Sequence, residues 1–353
     1  MYELSSYISR WIAENKAVCL ATVIETWGSS PRPVGTKMAF TNDPLIAGSV
    51  SAGCVEGAVI EAGIRAIKTN QPALLHYGVT DDTAFSVGLS CGGKIDVFVR
   101  RLDENLFHKL NSAISTYTPV ALLSILQENS DLFGKEMLVT EDQILFGSFR
   151  KDLDGQAHQL ARDLIPGQQS QNASLEFPGQ QSLRVFVDVI EPPPVLVMVG
   201  GVHIAVTLSI LAKALGFRTI VIDPRKNFAS QERFPEVDLL IQEWPEEAFA
   251  KIPLNSNTSV AVLTHDPKID DPALKIVLNS PVQYIGVLGS RKTHAERCKR
   301  LQADGFTPEQ LARLHAPIGI DLGGKNPPDI ALSVLAEIVM ERNAHIKSRK
   351  VSL

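Results

Sequence analysis

The chain has 353 residues and a mass of 38.4 kDa, with 34 Lys and Arg against 39 Asp and Glu, and 44% apolar residues. Such a composition excludes a disordered or fibrous chain and is long enough for two globular domains. A net charge of −5 without any basic run argues against bulk electrostatic partners, namely duplex nucleic acid or an anionic membrane, so any anion site must be local.

The four cysteines, Cys19, Cys54, Cys91 and Cys298, form no short pair and no secreted disulfide framework, which makes a reducing cytoplasm the expected location. The start, MYELSSYISRW, has no basic segment followed by an apolar core and does not read as an export signal. Residues 195–215 are the most apolar window. Adjacent glycines, His203 and Lys213 make it a buried strand followed by a helix, not a membrane span. No internal repeat is visible.

In chain order, Leu4, Tyr7, Ile8, Trp11 and Ile12 recur at helical spacing and predict an amphipathic first helix. Strands are predicted at 17–25, 36–40, 45–50, 72–77 and 94–100, with helices at 55–68 and 103–117, then strands at 120–126 and 135–139. Residues 166–180 carry turn and amide residues and read as a loop or linker, followed by a strand at 183–190. The run Pro192-Pro193-Pro194 is a stiff connector and places the domain boundary there. Beyond it, apolar strands at 195–199, 219–222, 237–241, 259–263 and 284–288 alternate with helix-length segments, and a last helix is predicted at 329–342. The fold class is α/β: a mixed α+β domain over 1–190, then a Rossmann-like parallel-sheet domain over 195–345.

The second domain opens with strand, glycine turn, helix, strand and Asp223, the order in which a dinucleotide fold sets a phosphate on a helix N-terminus. Gly200, Gly201 and His203 would line that turn and Asp223 would meet a ribose hydroxyl; the competing reading of Asp223 is a turn aspartate before Pro224. Val202 stands where the motif's second glycine lets the backbone approach a pyrophosphate, which counts against NAD(P). Ser290 and Arg291, with Thr264, His265 and Asp266, add donors at other strand ends; capping of the following helices is the competing reading.

In the first domain, GSVSAGCVEG (48–57) sets Cys54 just before a helix, where the dipole and free N–H groups favour thiolate over thiol. Cys91 lies in a second glycine turn. Both are candidate nucleophiles, sulfur carriers or soft metal ligands; the alternative is a small buried residue in a tight turn. Glu56 is a candidate base or orienting acid, or simply a favourable acid in a first helical turn. Arg32, with Lys37 nearby in a serine- and glycine-rich turn, is a candidate phosphate contact, with a solvated hairpin as the competing reading. Cys19 and Cys298 read as structural.

The segments ETWGSSPRPVGTKM (25–38), GSVSAGCVEG (48–57), VGLSCGGKIDVFV (87–99), GVLGSRK (286–292) and IGIDLGGKNPPDIALSVLAEI (318–338) resemble the XdhC/CoxI family of xanthine dehydrogenase accessory factors. The resemblance runs through both halves in order. It implies a chaperone-like accessory protein that binds molybdenum cofactor, promotes its sulfuration and assists its insertion into an apo molybdenum hydroxylase, without itself oxidising xanthine. It implies a cysteine desulfurase as a second partner and leaves a homodimer open. By motif, Cys54 and Cys91 would be the thiols nearest the cofactor, with Arg32, Ser49, Ser51 and Gly53 forming an anion-binding wall. The glycine turn departs from the family's usual Gly-Ala-Gly-His, keeping His203 but carrying Val202. Two other classes stay open: an NAD(P)-dependent oxidoreductase with a cysteine-bearing substrate domain, and a nucleotide-binding regulatory module with structural cysteines.

Overall fold

The computed structural model describes residues 1–28, 32–43, 45–51, 53, 55–78, 93–176 and 182–351, with side chains to 346, and divides into two compact units, Met1–Pro192 and Pro193–Leu353. In the first unit, helix α1 (Tyr2–Ala13) buries Leu4, Ile8 and Trp11, one stripe of its surface. It leads into an antiparallel sheet of β1 (Val18–Trp27), β2 (Lys37–Thr41), β3 (Ile46–Gly48), β4 (Ala73–Tyr77) and β5 (Lys94–Arg101), ordered β3-β2-β1-β5-β4. Helix α2 (Glu56–Thr69) joins β3 to β4. A second series follows: α3 (Glu104–Ser115), β6 (Val120–Ile125), β7 (Glu136–Val139), β8 (Ile144–Phe146), α4 (Lys151–Leu164), β9 (Gln171–Leu175) and β10 (Leu183–Ile190), ordered β8-β7-β6-β10-β9.

These two series are one fold repeated, although no internal repeat is visible in the sequence. The registers correspond: Thr22 faces Lys37 and Leu20 faces Arg100 in the first sheet, as Ser124 faces Glu136 and Leu122 faces Asp188 in the second. Left-handed backbone recurs at matching places, Asn15 with Tyr117, Gly35 with Gly134, Gly48 with Gly147 and Asn70 with Gln168. The repeat hides in the sequence because it needs only the same alternation of buried positions and the same turn dihedrals, which different side chains supply.

Cys19, Ala21 and Val23 pack with Val59 and Ala62 of α2, while Val18, Leu20 and Ile24 join clusters that also hold Leu122, Leu126 and Phe186 of the second half. Both faces of β1 are therefore covered, so it reads as a continuous apolar run although its sheet is antiparallel. Two buried ion pairs also link the halves: Arg100 Nε to Glu136 Oε1 at 2.5 Å, and Lys37 Nζ to Asp188 Oδ1 at 2.8 Å. In register, Arg100 corresponds to Asp188 and Lys37 to Glu136. The pair is repeated with its charges exchanged.

Within the predicted 166–180 linker lie a 3₁₀ turn, Ile165–Gly167, and β9; residues 177–181 fall outside the described residues. β9 pairs on one side only, with β10, so polar residues suit it and no apolar run marks it. Asn172 Nδ2 donates to Ile24 O at 3.0 Å. Helix α4 was not foreseen because its buried stripe, Leu153, Ala157 and Ala161, is mostly alanine.

The second unit is a parallel sheet of β11 (Val195–Val199), β12 (Arg218–Ile222), β13 (Leu239–Ile241), β14 (Thr258–Val262), β15 (Tyr284–Val287) and β16 (Leu314–His315), ordered β13-β12-β11-β14-β15-β16. Helices α5 (His203–Ala214), α6 (Pro245–Phe249), α7 (Pro267–Leu278), α8 (Arg291–Ala303), α9 (Pro308–Leu311) and α10 (Pro327–Val351) complete it. α5 and α10 cover one face with Ala205, Leu208, Val334 and Ile338; α7 and α8 cover the other with Ile269, Leu274 and Leu301. This is the Rossmann-like arrangement, with the strand order reversing between β11 and β14. Among the described residues no helix is long and apolar enough to cross a membrane.

Candidate functional site

Cys54 and Cys91, the expected thiols and soft metal ligands, lie outside the described residues. Residues 49–51, 53 and 55, on either side of Cys54, are organised by Glu56, the first residue of α2. Glu56 Oε1 accepts from Ser49 Oγ at 2.7 Å and from the Ser51 N–H at 2.9 Å; Oε2 accepts from the Gly53 N–H at 2.9 Å and from the Ser51 hydroxyl. Ser51 Oγ in turn accepts from the Val55 N–H at 3.0 Å. Ser51 is buried, so it braces the loop from inside, whereas Gly53 is exposed at φ +115°, with open space where a Cβ would stand. Four of the predicted residues, Ser49, Ser51, Gly53 and Glu56, thus form one hydrogen-bonded turn.

Burial alone would raise the Glu56 pKa, but the Ser51 and Ser49 hydroxyls and the Ser51 N–H outweigh it and bring the pKa down to about 2. A carboxylate depressed from the usual 4.5 stabilises the fold above that pH and loses its contribution as the pH falls toward 2. An NMR titration of the Glu56 carboxyl is expected to show a midpoint near 2; a midpoint near 4.5 would mean that the turn is not held this way.

A hollow of about 600 Å³ opens beside this turn, lined by Tyr2, Arg32, Thr36, Lys37, Gly48 and Ser49 among others. Arg32 is exposed. Lys37 is not an open cation there: its ammonium donates to Gly35 O at 2.7 Å and to Asp188 Oδ1 at 2.8 Å. A second hollow of about 350 Å³ shares Gly35, Thr36 and Lys37 and adds Ser170 and Asp188. The fold therefore brings predicted Arg32 and Ser49 to one concavity of ligand size.

In the second unit the glycine turn is closed from within. Gly200, at φ +111°, donates to Ile222 O at 2.7 Å, and the Gly201 N–H donates to Asp223 Oδ2 at 2.8 Å. Arg225 adds a two-pronged pair to the same carboxylate, Nε to Oδ1 at 2.8 Å and Nη2 to Oδ2 at 2.7 Å, and stacks over Phe228 at 4.0 Å. Asp223 is fully buried, so its oxygens hold the turn together and Arg225 stands between them and solvent. Val202 is the N-cap of α5 without a side-chain cap bond, and His203 is exposed in the first turn. Ser290 caps α8, accepting from the Thr293 N–H at 3.2 Å, with Arg291 exposed beside it, and Asp266 caps α7. Sequence reasoning missed Arg225 as the partner of Asp223, although the tight Asp-Pro-Arg spacing after a strand was the available signal.

Cys19 is buried and its thiol is pushed up to about 12 by that burial; Cys298 is half-buried, also raised by burial, with Sγ 3.5 Å from His294 Nε2. Both fit structural roles. Among the described residues no group of three or more His, Cys, Asp or Glu side chains is placed to hold a metal.

Residues 196–338 match the family model described as the XdhC Rossmann domain, and residues 11–78 match that of the XdhC and CoxI family. Together these stretches span more than half of the chain. The chain belongs to the XdhC and CoxI family. It is 27% identical over 337 residues to a Bacillus subtilis protein named as a probable xanthine dehydrogenase subunit, covering 94% of this chain and 95% of that one. It is 26% identical over 332 residues to the molybdenum cofactor insertion chaperone PaoD of Escherichia coli, covering 94% and 85%. A crystal structure described as a xanthine dehydrogenase from Bacillus halodurans shares the fold over 96% of both chains, with a TM-score of 0.75 at 22% identity.

The two ends of the 318–338 motif meet in one structural joint. Glu337 Oε2 accepts from the Gly319 N–H at 2.8 Å and from the Tyr284 hydroxyl, tying the segment after β16 and strand β15 to α10.

Proposed function

We propose that this XdhC/CoxI chain binds molybdenum cofactor in its first unit, assists its sulfuration and inserts it into an apo molybdenum hydroxylase of the xanthine dehydrogenase type. The observation that carries the reading is the 600 Å³ hollow that joins Arg32 to Ser49 at the foot of the Glu56-held turn leading to Cys54. The names of the relatives, an insertion chaperone and a dehydrogenase component, support the same role. Arg32 suits the cofactor's terminal phosphate through charge-assisted bonds, the hollow suits the size of a pterin, and Cys54 and Cys91 are the thiols assigned to the sulfur end. A cysteine desulfurase is the natural source of that sulfur, and a cytoplasmic location belongs to this reading. The chain acts as a carrier and not as a xanthine oxidase. Two copies acting together would be compatible with it.

We do not extend the reading to a nucleotide in the second unit. There the acid that would bind a ribose is engaged by Gly201 and Arg225, and Val202 replaces the glycine of the turn.

The test is retention. Purified chain incubated with molybdenum cofactor and gel-filtered is expected to carry molybdenum and pterin, and Arg32→Glu is expected to weaken retention by roughly tenfold or more, the worth of a charge-assisted bond plus repulsion. Cys54→Ala or Cys91→Ala is expected to lower the sulfurated fraction delivered to apo-hydroxylase. A chain that elutes free of both metal and pterin rules the reading out.

A further inference from the structure

We infer that the segment between β3 and α2 is an insertion into a duplicated corner, serving ligand contact and not folding, with Glu56 as its positioning residue; this deepens the cofactor-binding reading and rests on it. The corner exists twice. Gly48 and Gly147 end β3 and close β8 at φ +76° and +77°, and in each a Cβ would collide with the carbonyl oxygen of the matching strand residue, Lys37 or Glu136. Ser49 and Ser148 come next, and each hydroxyl donates to a first-turn carboxylate, Glu56 at 2.7 Å and Asp154 at 2.5 Å. Val50 and Phe149 then bury against the core of their own sheet. Asp154 also collects the Phe149 and Arg150 N–H groups at 2.8 and 3.2 Å, as Glu56 collects those of Ser51 and Gly53.

At that point the halves diverge. In the second, α4 begins directly after Arg150, so residues 148–150 suffice to turn the corner. In the first, residues 49–55 are used before α2 begins. The fold itself demonstrates that the shorter connection closes this geometry. The added residues include Gly53, exposed with open space around its α-carbon, and ordering such a residue is costly without packing to offset it. They follow Gly48 and Ser49 in the chain, and those two residues line the 600 Å³ hollow. The lengthened connection is the one that carries Cys54.

The experiment uses the full chain with residues 51–54 deleted, so that Val50 precedes Val55, beside Glu56→Gln and Glu56→Asp. The deletion is expected to melt within a few degrees of the parent while retaining at least tenfold less molybdenum and pterin. Glu56→Gln is expected to lose retention and Glu56→Asp to recover part of it; Glu56→Gln also melts lower, by the contribution of the lost carboxylate, so retention is compared at a temperature where all three are folded. A deletion that melts far below the parent makes the segment structural and overturns the inference, as does a deletion that retains cofactor like the parent. A parent that retains no cofactor overturns the underlying reading as well, which separates the two failures.

Discussion

Glu136→Ala is expected to lower unfolding stability by about 3–5 kcal/mol, read as a fall in the denaturant midpoint at unchanged slope. Glu136 is buried and its carboxyl is raised by that burial, partly offset by Arg100 and by the Ser124 hydroxyl, which donates to Oε1 at 3.0 Å. Removing it leaves the Arg100 charge uncompensated between two sheets, where its hydrogen bonds to Thr22 Oγ1 at 3.3 Å and Leu20 O at 3.5 Å are long and the Phe98 ring, 5.2 Å away, carries no countercharge. The double variant Arg100→Met, Glu136→Leu is expected to recover most of the loss, since apolar replacement of a buried pair is often neutral. Lys37→Met should cost a similar amount through Asp188 if the two corners are equivalent. A loss below about 1 kcal/mol for Glu136→Ala would show that water reaches Arg100 and that the pair behaves as a surface one.

Asp223→Ala is expected to cost about 2–4 kcal/mol in the same measurement. The carboxylate answers the buried Gly201 N–H and both prongs of Arg225, and among the described residues the Gly201 amide has no second acceptor. Arg225→Ala is expected to cost less, because that side chain is about a third exposed and its loss leaves Asp223 still bonded to the turn. Were Asp223 instead kept for a ribose, its removal would scarcely change stability.

The second unit was the more legible of the two. Short apolar strands such as 195–199 announce a sheet covered on both faces, and Pro327-Pro328 marks the start of the last helix, which runs on to Val351. In the first unit the position of α2 and the buried stripe of α1 were readable from spacing. Its duplication was not: Arg100 corresponds to Asp188 and Lys37 to Glu136, so equivalent places carry opposite charges and comparison of letters finds nothing. β9 escaped because an edge strand tolerates polar residues, and α4 because alanine marks a helix face faintly. Arg32 and Ser49, proposed from a cationic serine- and glycine-rich turn and from the family motif, line one hollow. The roles of Ser51 and Glu56 as internal braces needed coordinates, because one dimension does not tell whether a hydroxyl points toward a ligand or toward its own helix.

The crossed charges also determine which fragments are able to associate. Two copies of the stretch ending at Arg101 would set Arg100 against Lys37, and two copies of the stretch that follows would set Asp188 against Glu136, each a repulsion in a poorly hydrated place. Each stretch therefore matches the other and rejects itself. Because Leu20 and Leu122 sit in one hydrophobic cluster, neither completes its interior alone. A ribosome releasing this polypeptide must expose most of both stretches before either is secure, so the unit should form and melt in a single cooperative step.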